Sequence, residues 1–227
     1  MSNTVVNNGN NPSTGEVHNH RSIYSLATPM REDAFLLSED EKIEQIAEKF
    51  ADIMGILGLD LRDDSLRDTP KRVAKMMVLE HFQGLNPANK PAITLFSNPY
   101  RYGEMLVERN ITLHSTCEHH FVPILGVCHV AYFSNGQVIG LSKLNRLVRY
   151  YAKRPQVQER LTEQIAAELK LTLGTEDVAV FIDAEHLCVK TRGVEDCGSS
   201  TVTSHYSGKF QDPQVRNEFL HTVSHRS

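Results

Sequence analysis

Met105-Leu-Val-Glu-Arg-Asn-Ile-Thr-Leu113 and Ile124-Leu-Gly-Val-Cys-His-Val-Ala-Tyr-Phe133 decide the fold. Both are rich in β-branched and aromatic residues, which suit a pleated, half-buried surface. They read as neighbouring strands, with Cys128 as a core residue. Downstream the pattern changes. Ser142 is expected to cap a helix running to about Ala152, which Arg154-Pro155 breaks. A longer helix follows from Gln156 to about Leu173 and stops at Gly174. Val178 to Val189 and Thr201 to Phe210 read as further strands. Asp212-Pro213 opens a terminal helix with Val215, Phe219, Leu220 and Val223 on its apolar face.

Upstream, Ile93 to Phe96 is another strand. Ser38-Glu39-Asp40-Glu41 is a capping box ahead of Ile43, Ile46, Phe50, Ile53, Met54 and Leu57 at helical spacing, and Gly58 ends that helix. Thr69-Pro70 starts a second helix. Residues 1–35 contain six asparagines in the first twenty positions and no apolar period, so a disordered tail is expected there. A helical segment over 36–90 then precedes a domain over 91–227. Helices, antiparallel-type strands, two helices and strands again make an α+β chain rather than a βαβ alternation.

The composition narrows the function. With 24 Lys+Arg against 28 Asp+Glu the formal net charge is -4, which argues against holding nucleic acid by bulk charge. There is neither an apolar run of membrane-spanning length nor a basic, then apolar, leader pattern. Four cysteines in 227 residues are too sparse for a disulfide scaffold, and a cytoplasmic location is expected.

Two constellations carry chemistry. Cys117-Glu118-His119-His120 sets a thiolate and an imidazole at C-x-x-H spacing beside a strand end. Zinc needs more: four ligands in a structural site, or three plus an open position in a catalytic one. Cys188 is the best further candidate. Read as a strand, Asp183 to Arg192 puts His186, Cys188, Lys190 and Arg192 on one face. Catalytic zinc, structural zinc and no metal all stand open on spacing alone. Cys197 has no assigned role. The second constellation is basic: Lys143, Arg146, Arg149, Lys153 and Arg154 fall within a stretch that contains no acid. Ser142, Lys143 and Arg146 share a face near a helix N-terminus, a setting suited to phosphate. Arg72 and Lys75 could add charge. A solvated basic face is the plain alternative.

Four motifs in order closely resemble those of zinc-dependent GTP cyclohydrolase I. They are Ser115-Thr-Cys-Glu-His-His-Phe-Val-Pro123, Gly140-Leu-Ser-Lys-Leu-Asn-Arg146, Arg154-Pro-Gln-Val-Gln-Glu-Arg-Leu-Thr162 and His186-Leu-Cys-Val-Lys-Thr-Arg-Gly193. The resemblance runs from about Ser38 to the C-terminus. It implies conversion of GTP and water to 7,8-dihydroneopterin triphosphate and formate, the first step towards folate or tetrahydrobiopterin. It also implies a tunnelling fold (T-fold), with an antiparallel sheet and helices on one face, assembled as a homodecamer with sites at subunit interfaces. Carried over by motif, Cys117, His120 and Cys188 are the zinc ligands. His119 and His186 are acid/base histidines, and Ser142 joins the catalytic set at the triphosphate end. Gln158 and Glu159 recognise guanine; Lys143, Arg146 and Arg192 hold the triphosphate, with Arg72 and Lys75 beside them. His205-Tyr206 and Glu195-Asp196-Cys197-Gly198 lie outside these patterns. Two competing readings are a zinc-stabilised module that binds nucleic acid and a T-fold enzyme acting on another purine or pterin.

Overall fold

The computed structural model describes residues 26–224. The greater part of the Asn-rich stretch read as a tail therefore lies outside the described residues. The capping box forms as written: Ser38 Oγ accepts from the Glu41 backbone N–H, and the Glu41 carboxylate accepts from the Ser38 N–H. It opens α1 (Glu39–Ile56), and Gly58, at φ +83°, turns the chain away. Pro70 stands at the start of α2 (Thr69–Met76), which runs on into a single π-helical turn over Met77–His81.

The centre is a five-stranded sheet in the order β5-β2-β3-β6-β7: β2 (Met105–Cys117), β3 (Pro123–Phe133), β5 (Pro155–Gln156), β6 (Val178–His186) and β7 (Thr201–Tyr206). β2, β3, β6 and β7 pair antiparallel, whereas the two-residue β5 joins β2 in parallel. β1 (Leu95–Ser97) and β4 (Gln137–Ile139) form a separate ribbon. β4 escaped the sequence reading because three residues are too few to show a period.

Period two sorts the side chains of the sheet. Ile124, Cys128, Val130 and Tyr132 of β3, with Val178, Val180, Ile182 and Ala184 of β6, face α3 (Leu141–Ala152) and α4 (Gln158–Leu173). Those helices contribute Leu144, Leu147, Val148, Leu161, Ile165 and Leu169 to the same core. Cys128 is fully buried, as a core reading requires. The intervening residues Ala131 and Ala179 face Phe210 and Phe219 on the other side, where α6 (Pro213–Ser224) packs. The expected apolar face of α6 is thus used, and Val215, Leu220 and Val223 join that cluster.

Four local expectations need correction. The strand expected over Thr201 to Phe210 ends at Tyr206, and Gly208–Gln211 form a 3-10 turn that carries Phe210. Ser142 is not the cap of α3: Gly140 holds that position, and Ser142 lies within the first turn. α4 begins at Gln158 rather than Gln156, because the buried Gln156 is spent on the β5–β2 pairing. The strand expected over Val178 to Val189 stops at His186, and Leu187–Lys190 form a one-turn helix, α5. A single apolar-polar alternation cannot separate a strand end from one helical turn.

Candidate metal centre

The site lies where three strands end together. Ser115 of β2 pairs with Ile124 of β3, and Ile124 pairs with His186 of β6. Two segments distant in sequence therefore meet at one sheet edge. Beyond β2 the chain closes a tight loop: the Phe121 N–H donates to the Cys117 carbonyl (2.9 Å), and the Cys117 N–H donates to the Val122 carbonyl (2.8 Å). The loop requires a left-handed backbone at Phe121, φ 55°, which is unusual for a residue with a side chain. Beyond β6, the turn of α5 carries Cys188 towards this loop.

Cys117 Sγ, Cys188 Sγ and a ring nitrogen of His120 lie within 4.8 Å of one another. Among the described residues these form the one His/Cys/Asp/Glu group gathered tightly enough to hold a metal ion. Their chemistry fits a borderline-soft cation. Two sulfurs and an imidazole are zinc-type donors, and bonds of about 2.0–2.3 Å can bridge them with small side-chain rotations. Cys117 is buried and Cys188 half-buried. Burial raises the Cys188 thiol above its usual range; the adjacent Cys117 sulfur adds to this, and Arg192 opposes it. Two neighbouring sulfurs resist ionising together unless a cation lies between them.

Arg192 donates from Nη1 to Nε2 of His120 at 2.8 Å. It reaches the centre from beyond the helical turn rather than along a strand face. Lys190, expected on that same face, instead pairs with Glu185 at 2.7 Å. His119 is exposed, with Nδ1 3.9 Å from Cys117 Sγ. His186 is half-buried, and its Nε2 lies 2.8 Å from Gln158 Oε1. Gln158 Nε2 donates to the carbonyls of Thr201 (2.8 Å) and Ile182 (3.3 Å), so the amide oxygen must face the histidine. His186 therefore carries its proton on Nε2 and leaves Nδ1 as an acceptor. Burial lowers the His186 pKa, and Glu159 pulls the other way. Gln158 is buried with its amide committed inside the chain, whereas its neighbour Glu159 is exposed.

The basic group is elsewhere. Ser142, Lys143 and Arg146 project from the start of α3, with Ser142 and Arg146 exposed. Arg146, Arg149 and Lys153 line an open cleft of about 480 Å³. Arg72 and Lys75 are exposed on α2, and Arg72 lies 3.7 Å from Asp68. Among the described residues, no side-chain hydrogen bond or ion pair links these five candidates to the metal group. Two residues that the sequence reading left without a role, Glu118 and Arg160, form an ion pair beside the metal loop. The quoted motifs contain both, but nothing in their spacing marks them as partners.

A model of GTP cyclohydrolase I matches residues 46–224. GTP cyclohydrolase 1 of Flavobacterium johnsoniae is 63% identical over 192 residues, covering 85% of this chain and 86% of that protein. The enzymes of the same name from Pectobacterium carotovorum and Escherichia coli are 51% and 50% identical over 212 residues, each covering 93% of this chain and 96% of the relative. The order of the motifs, the sheet that gathers them and matches over most of the chain agree: this chain belongs to the GTP cyclohydrolase I family.

Proposed function

We propose that the protein converts GTP and water to 7,8-dihydroneopterin triphosphate and formate, at a zinc centre held by Cys117, His120 and Cys188. The observation that carries the reading is the convergence of these three donors beside two further histidines. Zinc, when bound there, would supply Lewis acidity and bring the pKa of water towards neutrality.

The chain's own groups do the remaining work. The exposed carboxylate of Glu159 suits the N1–H and exocyclic amine of guanine, two donors side by side, and Gln158 next to it holds His186. His119, beside Cys117, is placed to deliver a proton to N7 as the imidazole ring is attacked at C8. His186 is positioned for proton transfer at the ribose ring oxygen, which must open before the new six-membered ring can close. Lys143, Arg146, Arg192 and Ser142, with Arg72 and Lys75, bind the triphosphate, and this remote anchoring aligns the reacting ring.

The separation of the basic helix from the metal group within one chain supports a homo-oligomer, a decamer by family resemblance, whose neighbouring subunits complete each site. No helix among the described residues is long and apolar enough to cross a membrane. The reading places the enzyme in the cytoplasm, at the entry to pterin synthesis.

The test is to incubate the purified protein with GTP, with and without a zinc chelator. Formate and an oxidisable, fluorescent neopterin product should form together and cease with the metal removed. GTP left intact by zinc-loaded protein would refute the reading.

A further inference from the structure

The metal loop has an anchor outside the roles assigned above. Arg160, in the first turn of α4, has a side chain only 15% exposed. Its guanidinium spans three acceptors. Nε donates to Gln156 Oε1 at 3.1 Å, and Nη2 donates to the Pro155 carbonyl at 3.0 Å and to a carboxylate oxygen of Glu118. Gln156 is itself held: its amide nitrogen donates to the Tyr151 carbonyl (2.9 Å) and to Gln164 Oε1 (2.8 Å), which turns its oxygen towards Arg160. Pro155 and Gln156 form the strand that pairs with Thr116 and Cys117, and the Glu118 N–H donates to the Gln156 carbonyl at 3.0 Å.

Glu118 stands between Cys117 and His119. While Arg160 grips one carboxylate oxygen, the other lies 3.9 Å from His119 Nε2. The contact to Glu118 is a single charge-assisted hydrogen bond, and the same guanidinium is fixed by its bonds to Gln156 and Pro155, so it ties the Glu118 carboxylate to β5. It acts on a loop whose left-handed Phe121 disfavours the closed form on its own account. We propose that Arg160 is a positioning residue for the metal ligands. Through Glu118 it holds the Cys117–His120 loop closed, so that these donors already converge with Cys188 when an ion arrives. This rests on the metal reading above.

The experiment measures zinc affinity by chelator competition, and the visible absorption of the cobalt-substituted protein, in the full chain and in Arg160→Met, Glu118→Gln and the double variant. Each single change should weaken zinc binding by about 10- to 100-fold, the range for lost outer contacts to ligands. Each should also alter the cobalt ligand-field bands. The double variant should bind no more weakly than the weaker single variant, because both changes break one contact. Wild-type affinity and spectra in Arg160→Met, or losses that multiply in the double variant, would overturn the proposal. If Arg160→Met does not fold, Glu118→Gln decides alone, and unchanged zinc affinity there rejects it. The metal reading fails separately, and takes this inference with it, if the wild type binds no zinc or if Cys188→Ala binds it equally well.

Discussion

His186 donates from Nε2 to the amide oxygen of Gln158, and the two carbonyls that accept from Gln158 leave this amide a single orientation. A buried glutamine thereby selects the tautomer of a histidine beside the metal group. Gln158→Ala should lower turnover by about 10- to 100-fold, a part of the 10²–10⁴-fold that a positioned acid or base contributes. It should also destabilise the fold by about 1–3 kcal/mol, since buried acceptors lose their donor. Metal content should persist. Turnover, denaturant unfolding and zinc analysis on one preparation check all three.

Cys188→Ala should lose metal and turnover together, because two remaining protein donors do not hold zinc against a chelator. Elemental analysis beside the formate assay tests this. A metal-free variant with full activity would exclude Cys188 as a ligand.

A shared site has its own signature. Cys188→Ala and Arg146→Ala should each be inactive as pure proteins. Unfolded together and reassembled, they should regain a fraction of wild-type activity, because some interfaces then combine an intact metal group with an intact basic helix. No recovery from co-assembled oligomers would place both halves in one subunit.

Acid should destabilise the protein in a defined window. Burial lowers the pKa of His129, with Asp183 partly opposing it, and burial lowers that of His81, reinforced by Lys153. Between the lowered folded values and the unfolded value near 6.5, the unfolded chain binds more protons. The stability is therefore complete above about pH 6.5 and lost as pH falls through the folded values. His129 is buried, and its Nδ1 accepts from the Asn110 N–H at 3.3 Å. His129→Gln, which keeps an acceptor, should flatten the slope of unfolding free energy against pH on the acid side of about 6.5. An unchanged slope would rule out a contribution from this histidine.

Much of this was legible because certain residues act locally. Ser38 and Glu41 cap each other, Pro70 starts a helix and Gly174 ends one with φ 62°, whatever the surroundings. The turn at Leu187–Lys190 was not legible, since it depends on where β6 runs out against β3. Nor was the parallel β5, whose two residues gain a ladder partner only through folding. Cys117, His120 and Cys188 could be named from motif resemblance, but their convergence is a product of strand register. The Glu118–Arg160 pair joins a loop to a helix across a tertiary contact, which no spacing rule encodes.

The pairing of Ser115 with Ile124, and of Ile124 with His186, also sets a schedule for the cell. A nascent polypeptide still short of β6 has emerged with only part of the coordinating set, and no local helix or hairpin can complete it. On the proposed ligand set, the full trio of donors exists only once the sheet has brought β6 against β3, so metal affinity and the long-range fold are linked.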